Sequence, residues 1–236
     1  MATPVKPPPR RGYRSELRAE QARQTRLAIL TAARESFVAQ GYAASTMRGI
    51  AAAAGVSVAR VEQAFGTKAA LLAAAIDVAI AGDDEPVAMH DRDWTAAALG
   101  AATVEQLLAI TAAVLAAAQQ RSAGLVLAAF EGTALDGDLS HLAGELAARR
   151  ATTATWLVDR VRHHGALRPG LDRRRAIDSA WILMDPAIFD RLTRHRGWST
   201  RRYQRWIADS IRHQLLPDPA PNQVPPPVAP RRKGLR

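Results

Sequence analysis

Across residues 15–215 the apolar side chains recur three and four positions apart between glycine and proline stops, and no stretch alternates apolar with polar residues as a half-buried strand does. That periodicity predicts an all-α chain. The hydrophobic fraction, 48% of 236 residues, supplies enough apolar surface for one large or two modest cores.

Glycine and proline set the expected helix ends. A first helix over 15–40 carries Leu30, Ala33 and Phe37 on one stripe and stops at Gly41. Short helices follow at 46–54, 58–65 and 68–81, and then an acidic loop with Asp83, Asp84, Glu85 and Pro86. A longer helix opens near Thr103 with Val104, Leu107, Leu108, Thr111, Val114, Leu115 and Ala118 on one face. The run 125–130 is apolar almost all round, as in a helix buried inside a bundle. Helices at 139–164, 172–194 (kinked at Pro186) and 199–215 complete the pattern. Both ends mix proline with arginine and bury nothing, so they are expected to be disordered. The expected division is therefore a basic arm (1–14), a small helical domain with a connecting helix (15–81), a larger helical domain (82–216) and a Pro/Arg-rich tail (217–236).

Charge narrows the partner. Thirty-two Lys and Arg against 22 Asp and Glu leave a formal +10, which favours a polyanion, because neutralising phosphates releases counterions. Double-stranded DNA is the first candidate. A GC-rich coding sequence would also favour arginine over lysine, but it does not set the sign of the charge. The absence of cysteine excludes disulfides, thiolate metal sites and cysteine nucleophiles. The N-terminal stretch lacks the apolar core of a signal peptide, and no uninterrupted apolar run has the length of a membrane span, so a cytoplasmic protein is expected. No nucleophile elbow or glycine-rich phosphate loop is found. His163 and His164 are adjacent without a spaced third ligand, which suits a helix C-terminus better than a metal. Neither an enzyme nor a cofactor is expected.

The stretch 46–65, TMRGIAAAAGVSVARVEQAF, has the shape of a helix-turn-helix. Small Ala51 lets two helices approach, Gly55 supplies a turn with positive φ, and Val61 locks the second helix onto the first. Thr46 and Ser57 stand where N-caps belong. An ordinary helical hairpin would share much of this pattern.

The longer run 41–72, GYAASTMRGIAAAAGVSVARVEQAFGTKAALL, resembles the signature of TetR-family regulators, carried by Gly41-Tyr42, Thr46, Ile50-Ala51, Gly55-Val56-Ser57, Phe65 and residues 68–72. Residues 183–211 are more loosely similar to the end of many effector domains of that family. The resemblance implies a three-helix DNA-reading head and a helical effector-binding and dimerisation body. It further implies that the second helix of the motif enters the major groove, that Thr46 and Lys68 hold phosphates, and that Ser57, Val58, Ala59 and Arg60 form the reading end. Arg60 suits a bidentate bond to guanine or a phosphate contact. Val58 and Ala59 either touch a thymine methyl or simply admit the backbone.

Glu62 and Ala64 depart from the family, many members of which carry aromatic or histidine side chains there. Glu62 either accepts from cytosine or pairs with Arg48 or Arg60, and the ion pair is favoured. Arg48, Gln63 and the basic arm are candidates to offset the missing phosphate contacts, with simple solvation the favoured reading of the arm.

In the body, Phe130, Trp156, Trp181 and Met184, with Thr111 or Glu131 as polar orienters, form a candidate pocket for a small apolar effector; ordinary core packing is the competing reading. Ile177, Trp181, Tyr203, Trp206, Ile207 and Ile211 give stripes suited to a homodimer interface, where the resemblance also places it.

Overall fold

The computed structural model describes residues 11–82, 93–165 and 167–218. Most of the expected arm, the acidic loop and most of the tail lie outside these residues. Among the described residues ten α-helices form and no strand does, in line with the all-α expectation. The helices are α1 (Arg11–Ala44), α2 (Met47–Ala53), α3 (Val58–Phe65), α4 (Lys68–Ala81), α5 (Asp93–Leu99), α6 (Val104–Glu131), α7 (Gly137–His164), α8 (Arg173–Leu183), α9 (Pro186–Asp190) and α10 (Thr200–Leu215).

Most of the helices start where a short polar side chain satisfies an orphan amide. Thr46, Ser57, Thr67, Thr103, Asp172, Asp185 and Ser199 all accept from a backbone N–H two or three residues on. Gly41, at φ 73°, breaks the first helix where expected, although Tyr42–Ala44 resume helical geometry beyond the kink. The first helix also begins four residues earlier than expected, at Arg11.

Three boundaries differ from the sequence reading. The apolar run 125–130 is not a separate helix but lies in the last two turns of the single 28-residue helix α6. Pro186 does not kink a continuous helix. Its missing N–H is tolerated at a helix start, so α8 ends at Leu183 and α9 begins at Pro186, followed by a short π-helical segment, Arg191–His195. The short helix α5 was not expected.

Helix α6 is the axis of the molecule, packing against α1, α4, α5, α7, α9 and α10. It is long and apolar enough to cross a membrane, with mean hydropathy 1.2. Its six helical neighbours account for that composition, since a helix surrounded by others is apolar on all sides. Two apolar clusters meet along it. The first joins Phe37, Ile50, Val61, Leu72 and Ile76 to Leu125, Ala129, Leu139 and Leu146. The second joins Leu107, Leu108, Leu157 and Val161 to Tyr203, Ile207 and Ile211. The head therefore shares a core with α6 and α7.

Gly132 sits at this seam. A Cβ there would collide with Leu139 Cδ1 and come within 3.0 Å of the Tyr42 ring. Both neighbours are buried, so Gly132→Ala is expected to overpack the seam and cost about 1–3 kcal/mol. A urea midpoint equal to wild type would show that Leu139 yields without cost.

Candidate nucleic-acid interface and effector cavity

The helix-turn-helix is built as its residues dictate. Gly55, at φ 68°, turns the chain between α2 and α3, a conformation that penalises any Cβ. Ala51 and Val61, 1% and 0% exposed, bring the two helices together. Val58 and Phe65 lean on the same core, and Arg26 lies over the Phe65 ring at 4.5 Å. What remains outward on and just before α3 is Ser57, Ala59, Arg60, Glu62, Gln63 and Ala64.

Ser57 Oγ accepts from Arg60 N at 3.2 Å and Thr46 Oγ1 from Gly49 N at 3.0 Å. Both caps use a lone pair of the hydroxyl oxygen and leave its proton to donate elsewhere. Arg48 is exposed on α2. Val58, expected at the reading end, is half-buried against the head core, so its side chain is only partly presented.

One expectation on this face is corrected. Glu62 pairs with neither Arg48 nor Arg60 among the described residues; Arg60 Nη1 instead donates to Gln63 Oε1 at 3.1 Å, one helical turn away. Arg60 and Gln63 thus form one exposed unit on the outer side of α3.

Lys68 makes contacts within the head. Its ammonium donates to Tyr42 O at 2.9 Å and Ser45 O at 3.0 Å and lies 4.0 Å from the Tyr42 ring centroid. Two of its three protons therefore tie the start of α4 to the end of α1 and the loop that follows it. Lys68→Met is expected to lower thermal stability by about 1–3 kcal/mol, the range for losing charge-assisted bonds at a partly buried site. A variant with unchanged melting but a salt slope of DNA binding shallower by about one would return Lys68 to a phosphate role.

Head and body are joined by polar latches that span many residues of sequence. Tyr42 Oη donates to Asp136 just before α7; burial first, and then this carboxylate, push the phenol well above its usual pKa, so it remains a donor. Arg121 on α6 donates from Nε to Ala79 O at 2.8 Å and from Nη2 to Ile80 O at 3.1 Å, satisfying the last carbonyls of α4. Arg149 Nη1 on α7 meets Asp77 Oδ1 on α4 at 2.7 Å. None of these had a sequence signal, since their partners lie 41 to 94 residues apart.

Between α4, α5, α6, α7 and the start of α9 lies a cavity of about 680 Å³, predominantly apolar. Of the expected pocket residues it is lined by Thr111, Trp156 and Met184. Phe130, Glu131 and Trp181 are elsewhere: Phe130 packs on the head core, Glu131 is exposed, and Trp181 lies against Arg150 at 4.3 Å. Residues not foreseen complete the lining, notably Trp94, which meets Trp156 edge-to-face at 6.0 Å, together with Gln119, Ser122, Arg149 and Arg150.

The expected dimer stripe is half corrected. Tyr203, Ile207 and Ile211 are 0%, 0% and 1% exposed because they face α6 within their own chain. Ile177, Trp181 and Trp206 remain half-buried, and Ile182 beside them is 54% exposed.

Residues 29–75, from within α1 to within α4, match the family model described as bacterial regulatory proteins, tetR family. That segment, the helix-turn-helix with its flanking helices, is thus similar to the TetR-family head. No curated protein matches the sequence. The TetR fold extends through the body. A solved structure assigned as a TetR-family transcriptional regulator from Rhodococcus sp. has a TM-score of 0.60 at 14% identity, covering 81% of this chain and 98% of that one. NalD, the secondary repressor of the MexAB-OprM multidrug efflux pump in Pseudomonas aeruginosa, has a TM-score of 0.60 at 18% identity, covering 83% and 98%. FadR from Bacillus subtilis, solved in complex with stearoyl-CoA, has a TM-score of 0.60 at 17% identity, covering 78% and 96%. The chain thus carries a helix-turn-helix head that matches the family model and a body with the fold of these structures.

Proposed function

We propose that this chain is a TetR-type repressor that binds a palindromic operator as a homodimer and leaves it when a small apolar molecule fills the cavity between α4 and α7. The observation that carries this reading is the position of α4. Asp77, Ile80 and Ala81 form one wall of the cavity, while the opposite end of the same helix is tied through Lys68 to the end of α1 and the loop that follows it in the head. A ligand pressing on that wall biases the setting of α3 through one rigid element. Neighbours of the same fold include a repressor and a protein solved with a long acyl group, which is consistent with an apolar occupant.

In this reading Ala59, Arg60 and Gln63 meet base edges, while Thr46, Ser57 and Arg48 donate to phosphates. The half-buried residues Ile177, Trp181 and Trp206 are the dimer-interface candidates. A two-fold dimer places two reading helices in successive major grooves, about 34–36 Å apart.

Fragments of genomic DNA recovered on the full-length protein are expected to share a two-fold symmetric sequence. Recovery without any shared sequence would leave only charge-driven binding. A molecule that occupies the cavity is expected to weaken operator binding by about 5–150-fold, and operator DNA must weaken that molecule by the same factor. Equal ligand affinity with and without operator would remove the inducer mechanism while leaving the DNA reading intact.

A further inference from the structure

The cavity is apolar, yet two polar side chains in its lining are almost fully buried and incompletely partnered. Thr111 and Gln119 are 5% and 6% exposed, and Thr111 Oγ1 and Gln119 Oε1 have no hydrogen-bond partner. Buried polar atoms are rarely left in that condition, because each costs the full desolvation of the group.

The two are not equivalent. A threonine hydroxyl inside a helix can turn onto a carbonyl of its own preceding turn. Gln119 has no such escape. Its Nε2 donates to Met184 O at 2.8 Å, at the break between α8 and α9, and this fixes the amide so that Oε1 is the atom left over. An amide oxygen accepts and cannot donate, so it must be met by a donor. Ser122, one turn further along α6, already gives its proton to Ala118 O at 2.8 Å and cannot supply it.

The charges in the lining are matched within the protein. Arg149 meets Asp77 at 2.7 Å, and Arg150 meets Asp185 through Nη2 at 2.9 Å while stacking on Trp181; its Nε is left without an acceptor, but its charge is paired. A ligand bringing its own charge would lose hydration without gaining a free counter-charge. A hydroxyl or an uncharged N–H has no such penalty. The length of the site is set by α6: Thr111, Leu115, Gln119, Ser122 and Val126 line it over about four turns, or roughly 22 Å at 1.5 Å per residue. Trp94 and Trp156 add a flat aromatic surface.

From this geometry we infer that the cavity takes an uncharged, elongated, mainly apolar molecule bearing a hydroxyl or N–H group, which donates to Gln119 Oε1. The inference rests on the cavity being the effector site and adds the chemical class that the site selects.

The test uses the full-length protein and four probes of equal chain length that differ only in the head group: dodecan-1-ol, methyl dodecyl ether, dodecanoate and dodecylammonium. Binding is followed by calorimetry and by quenching of tryptophan emission, since Trp94 and Trp156 line the cavity. The alcohol is expected to bind at least about tenfold more tightly than the ether, which accepts but cannot donate, and more tightly than either ion. Gln119→Met is expected to bring the alcohol to the affinity of the ether while the ether itself is held as before. Should the variant not fold, because Met184 O loses its donor, the comparison of probes on the wild-type protein decides the matter. Ether and alcohol binding equally well would overturn the requirement for a donor and leave the cavity as a plain apolar site. Tighter binding of dodecanoate or dodecylammonium would overturn the uncharged class. No binding or quenching by any probe would sink both this inference and the reading of the cavity as an apolar effector site.

Discussion

Ile207→Asp is expected to leave little folded protein. Ile207 is 0% exposed, on the face of α10 that packs against α6, in the cluster holding Leu107, Leu157 and Tyr203. Truncating a buried isoleucine to alanine costs about 2–5 kcal/mol, and an unpaired carboxylate adds a desolvation penalty of several more. Together these rival the roughly 5–15 kcal/mol that holds a domain folded. The readouts are helical circular dichroism and the thermal transition of the purified chain. The comparison that gives the test its force is Trp206, at the preceding position of the same helix but half-buried, edge-on to Trp198 at 6.1 Å and tilted against Tyr203 at 5.8 Å. Trp206→Arg should stay folded and, if this flank meets a second copy, sediment as a monomer. A folded, cooperatively melting Ile207→Asp that is simply monomeric would place Ile207 at the interface after all.

The second large effect is expected at Arg60. Its guanidinium stands outward from α3, oriented by Gln63 one turn on, with no carboxylate partner among the described residues. A planar fork held in that way is suited to guanine O6 and N7, and losing such a contact costs about 1–3 kcal/mol. Arg60→Ala should therefore weaken operator binding by about 5–150-fold and relax the preference at one base position, with little change on random DNA. Gln63→Ala should produce a smaller change in the same direction, because it frees the guanidinium from its orienting partner. An equal loss on operator and random DNA would make Arg60 a phosphate contact and move the reading role to Ala59 and Gln63.

Much of the head was legible because its determinants are local. A threonine or serine before an apolar run, a glycine between two short helices and a buried valine six positions later act within one or two turns of chain. Thr46, Ser57, Gly55 and Val61 accordingly sit in the roles their spacing predicted. The correction at Pro186 belongs to the same local level: the residue was noticed, but its preference for a helix start was outweighed by the continuing apolar pattern on either side.

Lys68 shows where such reading stops. Its position invites a phosphate, but its side chain closes on two carbonyls 23 and 26 residues earlier, a contact that no local pattern encodes. The body shows the same limit more broadly. The apolar stripe of α10 was visible, yet a stripe states only that a face is buried and not by what. Burial against α6 of the same chain and burial against a second chain select the same residue types. For Tyr203, Ile207 and Ile211 the packing of α6 decided it.

The cavity is the extreme case. Phe130 and Trp181 have the composition of pocket residues but lie on the wrong sides of their helices, whereas Gln119, polar in an apolar run, is brought to the cavity by the helices around it. By itself, then, the sequence determined the helices, their caps and stops, the DNA-reading motif and the sign of the charge, because each depends on neighbours a few residues away or on a sum over the chain. The tertiary structure alone decided which apolar faces are internal, how α4 is latched to α6 and α7, and where an unfilled space with a lone acceptor remains. Those depend on the mutual placement of helices tens of residues apart, and packing many side chains at once sets that placement.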